Sequence, residues 1–377
     1  MYLWQAPGWP ALTWDANAVT APLAQARLAQ GRMLGLAGGL GMMDLAELQL
    51  AGWTQEALAT AQIEGEQLQV NSVRASAARR LGLADASAVA RDPRTEATLD
   101  VLQAAVTRWQ QPLAEQDLFD WHAALFPTGR SGASRIATGA WRAHAEPMQI
   151  VTPRLGRPDV VHYEAPPSAE VPAQMRALLE WFNTHSRVPE IDGLVRAAVV
   201  HLWFEAIHPF EDGNGRIGRA VAELALAQDM GSDRRLFSLS AQLAHDRAGY
   251  YAQLQAATGQ PTLDITPWVQ WFISRIQAAF DAATGQMRKA LAHGRYWAQV
   301  NSQHPGLSAS QRKALARLLE AGPDGFAGGM STEKYVNLTG VSRATAYREL
   351  TQLTEFGLLE RTGVGRGTRY GLVVSAL

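Results

Sequence analysis

Apolar residues recur at three- and four-residue spacing, with few β-branched runs, over Val19 to Gly31, Asp44 to Gly65 and Glu96 to Gln111. That spacing lines one face of a helix and predicts a helical N-terminal domain over 1–111. Between Gly129 and Pro167 the texture changes to Gly, Pro and Arg. Two short extended pieces, Met148 to Thr152 and Val160 to Tyr163, flank Pro153-Arg-Leu-Gly-Arg-Pro158, the pattern of a β-hairpin inside a helical protein. Helices resume at Val171 to His185 and Ile191 to Ile207. The second is apolar nearly all round, as befits a helix at a domain centre, and it stops at His208-Pro209 because the residue before proline is pushed out of the α region. After a polar, Gly-rich loop, Arg216 to Met230 forms another apolar helix.

Further along, a basic stretch follows Gln286, Ser308 to Ala321 reads as a helix, and Gly322 to Gly329 is a Gly/Pro break. From Ser331 the pattern is helix, turn, helix: Glu333 to Leu338, Thr339-Gly340, then Ser342 to Phe356 with Ser342 as N-cap and Val341 and Leu350 facing inward. Gly357 to Arg361 and Thr368 to Val373, joined by Gly363-Val-Gly-Arg-Gly367, add a short basic hairpin. The expected fold is mainly α, in three parts: 1–111, a central core over 112–285, and a linker helix with a small terminal domain over 286–377.

The chemistry concentrates in His208-Pro-Phe-Glu-Asp-Gly-Asn-Gly-Arg-Ile-Gly-Arg219. An Asn-Gly pair usually marks a hairpin turn, but both flanks here are helical rather than alternating. Helix, tight loop, helix sets the loop amides at a helix N-terminus, where anions bind. Gly213 and Gly215 permit backbone angles that let successive N–H groups converge on phosphate oxygens, and Asn214 adds side-chain donors. Arg216 and Arg219, three apart in the next helix's first turn, can both grip a polyphosphate. Asp212 is a hard oxygen ligand suited to Mg²⁺. His208, ending the previous helix, is placed to take a proton from an incoming hydroxyl. Taken singly, a histidine is more often structural and an arginine more often a surface cation; Phe210 reads as a core plug.

In their joint order these residues match the signature His-Pro-Phe-x-(Asp or Glu)-Gly-Asn-Gly-Arg-x-x-Arg at all nine specified positions. The chain thus resembles the Fic family, helical enzymes that mostly transfer AMP from ATP to Ser, Thr or Tyr of proteins, with Mg²⁺. The resemblance implies His208 as general base, Asp212 as Mg²⁺ ligand, and Gly213, Asn214 and Gly215 as the anion hole at the α-phosphate. It also implies Arg216 toward the β- and γ-side phosphates and Arg219 on the γ-phosphate. The hairpin at Met148 to Tyr163 resembles the family's flap, which aligns a target segment by strand addition. Tyr250-Tyr251-Ala-Gln-Leu254 resembles a paired-tyrosine helix, with Tyr250 near the adenine; on residue type alone, such a tyrosine is core.

Upstream, Thr60-Ala-Gln-Ile-Glu64-Gly65 resembles the family's inhibitory motif. Thr and Glu at this spacing are commonplace on a solvated helix face; the resemblance implies that Glu64 pairs with Arg219 and takes the γ-phosphate position. In some relatives the same carboxylate serves removal of AMP instead. The regions around Trp14-Asp15 and Thr60 to Gly82 resemble the N-terminal domain often fused to such cores. Some relatives transfer UMP, phosphate or phosphocholine, and dimers are frequent. The tail resembles a winged helix, which implies DNA contact through Arg343, Thr345 and Arg348 with Arg361, Arg366 and Arg369 on the wing, or else protein docking. A nucleotide-sensing regulator is thus the alternative to an adenylyltransferase acting on ATP and on a target protein, itself included.

Bulk properties narrow this only a little. A formal net charge of −1 gives no global attraction to nucleic acid or anionic membrane. From Ser331 onward six Lys/Arg face four Asp/Glu, a surplus of two, which is thin for tight duplex binding. The absence of cysteine excludes disulfides and thiolate chemistry and suits a reducing compartment, so the cytoplasm is expected. No signal peptide is read in the first residues, and Met33 to Met43, the longest apolar and Gly run, is well short of the roughly 20 residues that span a bilayer.

Overall fold

The computed structural model describes all residues except 84–88, 153–159, 187–189, 322–327 and 374–377; the side chains of Thr152 and Arg366 also lie outside the described set. The turn expected at 153–158, most of the break at 322–329 and the wing role expected of the Arg366 side chain therefore fall outside it. The chain divides into two compact units, Met1–Gln286 and Met287–Leu377.

In the first unit the N-terminal helices are α1 (Ala16–Gly38), α2 (Met42–Ile63), α3 (Val70–Arg80) and α4 (Pro93–Thr107). Their starts follow from capping chemistry: the Asp15 carboxylate accepts from the amides of Asn17 and Ala18, and Asp92 accepts from Thr95 N just before Pro93. Helix α3 was not foreseen as a separate element; its exposed Arg-bearing face obscures a buried stripe of Ser72, Val73, Ser76 and Ala77. The expected border at 111/112 is not a break in packing. Helix α2 buries Leu50, Trp53 and Ala57 in one cluster with residues of α3 and α4 that also takes in Ala227 from the centre of the unit.

The centre is built from α5 (Glu115–Leu125), α6 (Val171–His185), α7 (Gly193–Ile207), α8 (Asn214–Met230), α9 (Leu239–His245), α10 (Arg247–Thr258) and α11 (Thr266–Gln303). Every residue of α7 from Leu194 to Ile207 is buried, in keeping with its all-round apolar sequence. Helix α7 pairs closely with α8 because Gly218 leaves room: a Cβ there would lie 2.6 Å from Glu205 Oε1. Two hairpins interrupt the helices. One is β1 (Arg130–Ser131) with β2 (Ser134–Arg135); the other is β3 (Gln149–Thr152) with β4 (Val160–Glu164), antiparallel, with a register shift at Ile150/Val151. The latter is the expected hairpin.

The second unit holds the C-terminal part of α11, then α12 (Ala309–Ala321), α13 (Thr332–Thr339), α14 (Arg343–Glu355), β5 (Leu359–Thr362) and β6 (Arg369–Leu372). The basic stretch after Gln286 is thus helical, a continuation of α11. Ser331 and Ser342 cap α13 and α14 through Lys334 N and Thr345 N, and Gly340 turns between them at φ 75°. Tyr335, Ala346, Leu350, Leu353 and Tyr370 fill the core, and Met330 pairs with Tyr370 beside the β5–β6 hairpin. Arg343 and Arg348 are exposed on α14. No helix among the described residues is long and apolar enough to cross a membrane.

Close packing of α2 makes a specific demand. A Cβ at Gly52 would stand 2.7 Å from the backbone oxygen of Arg235. Gly52→Ala is expected to lower unfolding free energy by about 1–3 kcal/mol despite alanine's better helix propensity, measured by urea denaturation; a stabilised variant would show that the two segments are not in contact.

Candidate nucleotide site

The loop between α7 and α8 is held from within. His208 ends α7 in a left-handed conformation, φ 50° and ψ 62°, unusual for a residue with a Cβ. Asn214 accepts from Phe210 N and donates to Phe210 O, both at 2.8 Å, so its side-chain donors close the loop on itself rather than facing a ligand. What Asn214 offers an anion is its backbone amide, with those of Gly215 and Arg216 in a first turn that lacks intrahelical acceptors. Gly213 precedes them at φ 80°, and a Cβ there would meet the Phe126 ring at 2.8 Å.

Around this loop, His122 accepts from Gly139 N at Nδ1 (3.0 Å), which leaves Nε2–H to donate to the Asp212 carbonyl (3.1 Å). Its ring lies flat on Phe210, centroids 4.2 Å apart. The Asp212 carboxylate accepts from Gly213 N at 2.6 Å and from the Ser131 hydroxyl. A single, pre-oriented carboxylate fits Mg²⁺, which keeps several waters and binds chiefly through phosphates. Among the described residues no group of three or more His, Asp or Glu converges to cage a metal.

The two arginines meet carboxylates from the end of α2. Arg219, 1% exposed, donates from Nη2 to Glu64 Oε1 (2.7 Å) and to Thr60 O (3.1 Å), and from Nε to Thr60 Oγ1 (2.9 Å). Arg216 reaches Glu66 Oε1 at 3.0 Å and stacks over Phe126. A Cβ at Gly215 would lie 2.4 Å from Glu64 Oε1, so glycine is what lets the carboxylate approach the loop. Tyr251 donates to Ile63 O (3.1 Å), fastening the same turn from α10.

A cavity of about 490 Å³ opens beside these groups, walled by Glu64, Glu205, His208, Arg219, Tyr250 and, from the hairpin, Ile150. Tyr250 reaches it as a buried ring whose hydroxyl is bonded to His201 Nε2 at 2.8 Å. Burial pushes His201 down to about 3, so that partner is neutral. Sequence reasoning brought His208, Asp212, Gly213, Asn214, Gly215, Arg216, Arg219, Tyr250 and Glu64 to notice, and the structure gathers them here. It missed Glu66, His122, Arg142 and Glu205, and it noted Tyr251 only as the neighbour of Tyr250. For Glu205 a signal existed: an acid on an otherwise apolar helix, one turn before His208.

His208, Gly215 and Arg219 stand at one cavity, Asp212 and Arg216 belong to the same loop and first helical turn, and carboxylates from the end of α2 meet both arginines. Residues 112–226 match the family described as Fic/DOC, so the chain carries a Fic/DOC family domain. Residues 2–83 match a domain of unknown function, DUF4172. The chain is 27% identical over 145 residues to protein adenylyltransferase fic-1 of Caenorhabditis briggsae, covering 38% of this chain and 26% of that protein. With its Caenorhabditis elegans counterpart it is 30% identical over 115 residues, 30% of this chain and 21% of that protein. The matched stretches thus span 26% and 21% of those relatives' lengths, about a quarter or a fifth. In fold, the chain resembles a Fic family protein from Desulfovibrio desulfuricans G20 (TM-score 0.54, 23% identity, 97% and 98% of the two chains). It also resembles a Fic domain containing signaling protein from Bacteroides thetaiotaomicron VPI-5482 (TM-score 0.54, 19% identity, 70% and 98%).

Glu205 gives a test of the site's electrostatics. Burial pushes its carboxyl up to about 8, and Oε1 has no hydrogen-bond partner. Its unfolded form ionises near 4.5, so stability from this group is complete below that pH and lost as pH rises toward 8. Glu205→Gln should therefore gain stability relative to the parent between pH 5 and 8, read from melting curves across that range. A difference that stays flat with pH would mean the carboxyl is ionised in the fold.

Proposed function

We propose that this protein is an adenylyltransferase that moves AMP from ATP to a hydroxyl side chain of a protein, held inactive by Glu64. The observation that carries the reading is the Arg219–Glu64 contact at 2.7 Å, backed by Thr60, in a loop with the complete family signature. His208 Nδ1 is turned inward toward Glu205, 3.9 Å away, leaving the opposite ring nitrogen, Nε2, as the base. Burial and the Arg142 charge push its imidazole down to about 4, so it is neutral and able to accept a proton at physiological pH.

In the proposed reaction the target hydroxyl gives its proton to His208 Nε2, its oxygen bonds to the α-phosphorus, and the bond to the β-phosphate bridging oxygen breaks to release pyrophosphate. The amides of Asn214 and Gly215, aimed by the turn at Gly213, would bear the charge on the α-phosphate, and Arg216 and Arg219 the charge of the leaving phosphates. Mg²⁺, held at Asp212, would neutralise phosphate charge. Tyr250 would supply an apolar wall for the base. The β3–β4 hairpin, with Ile150 and Val161 exposed, suits strand addition by the target. With Glu64 on Arg219, the γ-phosphate has no cation to meet, and ATP cannot lie in line for attack. Glu64 also suits a second role in removing AMP from a modified target.

The same reading divides function among a regulatory segment 1–111, a catalytic core 112–285 and a terminal module 286–377. It places the protein, free of cysteine, in the cytoplasm, acting on a target protein or on a second copy of itself in a dimer. The helix-turn-helix and hairpin of the second unit, with Arg343 and Arg348 exposed on α14, favour a winged helix and support the alternative of a DNA-binding nucleotide sensor.

With Mg²⁺ and ATP labelled at the α-phosphate, Glu64→Gly should label protein roughly tenfold or more above the parent, the scale of one charge-assisted bond. Glu64→Gly/His208→Ala should label none, nor should γ-labelled ATP. Transfer of the γ-label would make the protein a kinase, and no transfer alongside a nucleotide-dependent DNA shift would favour the sensor.

A further inference from the structure

We propose that Arg142 is the positioning residue for His208, holding the left-handed turn that aims the imidazole and tying it to the foot of the β3–β4 hairpin. The proposal rests on the reading of His208 as base. Arg142 lies between the two hairpins, 2% exposed, and pairs with no carboxylate among the described residues. Its donors go instead to backbone and hydroxyl oxygens. Nε donates to His208 O (2.7 Å), Nη2 to Ile207 O (3.2 Å) and Pro166 O (2.6 Å), and Nη1 to Ser168 Oγ (2.9 Å). Its own amide donates to Pro209 O at 2.9 Å.

Each bond answers a local need. The last carbonyls of a helix have no intrahelical donor, and those of α7 are buried, so they require one. The C-terminal end of α7 also carries the partial negative charge that a guanidinium without a counter-ion needs. Pro166 and Ser168 directly follow β4, so one rigid fork joins the hairpin that would present the target to the imidazole that would deprotonate it. An ammonium group has neither the reach nor the planar divergence to serve these four oxygens.

The charge has a second effect. Facing His208 are Glu205 from its own helix, Glu64 from the end of α2, Asp212 from the loop and Arg142. Burial first, and then the Arg142 charge, oppose a protonated ring, whereas the backbone of Glu205 and the charges of Glu64 and Asp212 favour it.

The test uses the full chain carrying Glu64→Gly, with AMP transfer from α-labelled ATP followed over ATP concentration and pH. Arg142→Lys and Arg142→Gln should lower kcat about 100-fold, the cost of a base misplaced by around an ångström, with KM for ATP nearly unchanged. In Arg142→Gln the acid limb should move to higher pH, and in Arg142→Lys it should move less. Should these variants fail to fold by circular dichroism, the half-buried Ser168→Ala removes one bond of the fork and should lower kcat about three- to tenfold with KM unchanged. Unaltered kcat and acid limb in folded variants, or unaltered kcat in Ser168→Ala, would overturn the proposal, as would a KM that rises as kcat falls. Failure of Glu64→Gly itself to transfer AMP would show first, as the loss of the underlying reading, and this proposal would fall with it.

Discussion

The site is organised by one requirement: the guanidinium of Arg219, buried on α8, must have an anion. A charge in that position without a partner is costly, by several kcal/mol, so some carboxylate or phosphate has to be there. In this structure Glu64 meets the requirement, and Thr60 supplies the oxygens that complete it. The consequence runs in both directions along the chain. The end of α2 is drawn against the loop, Gly215 must be glycine to admit it, and the same turn brings Glu66 onto Arg216. The loop's anion-binding character and its occupation by protein carboxylates are two aspects of one electrostatic fact.

Between α7 and α8 the backbone has to reverse within six residues while both helix ends are buried. Several polar groups meet the resulting demand. Asn214 bonds both backbone groups of Phe210, His122 takes the Asp212 carbonyl, and Arg142 takes the carbonyls of Ile207 and His208. They come from distant parts of the sequence, which is why the loop is rigid without any secondary structure of its own. A preformed set of donors is what electrostatic catalysis asks of a site.

What could be read in the sequence follows this division. The apolar patterns of α7 and α8, the stop at His208-Pro209 and the chemistry of the loop lie in one contiguous stretch, where spacing is itself geometry. The β3–β4 hairpin was legible for the same reason, from extended pieces flanking a proline-rich stretch. Arg142 was not, because its four partners are set by tertiary packing and nothing local distinguishes it from a surface arginine. Asn214 shows a subtler limit: its amide was rightly placed at the loop, but only coordinates show that its side chain faces Phe210 rather than outward. Helix α3 escaped notice because serine and alanine lining a helix face carry little hydrophobic signal.

Helix α2 serves two masters, and on the proposed reading this bears on how inhibition by Glu64 would end. Its middle turns bury Leu50, Trp53 and Ala57, each large apolar side chain worth about 1.5–3 kcal/mol, so lifting the whole helix would consume much of the roughly 5–15 kcal/mol that keeps a domain folded. Glu64, in contrast, is the C-cap, followed by Gly65 at φ 78°, where the helix already gives way to loop. On that reading the lock would be separable from the beam that carries it. On the proposed reading, release of the cap residue Glu64 alone, beside Gly65, would clear the γ-phosphate position while Ala61 and Ile63 stayed buried. Such a device would be graded by local stability at the cap rather than thrown by a domain movement, and its resting leak would be set by how often the cap opens.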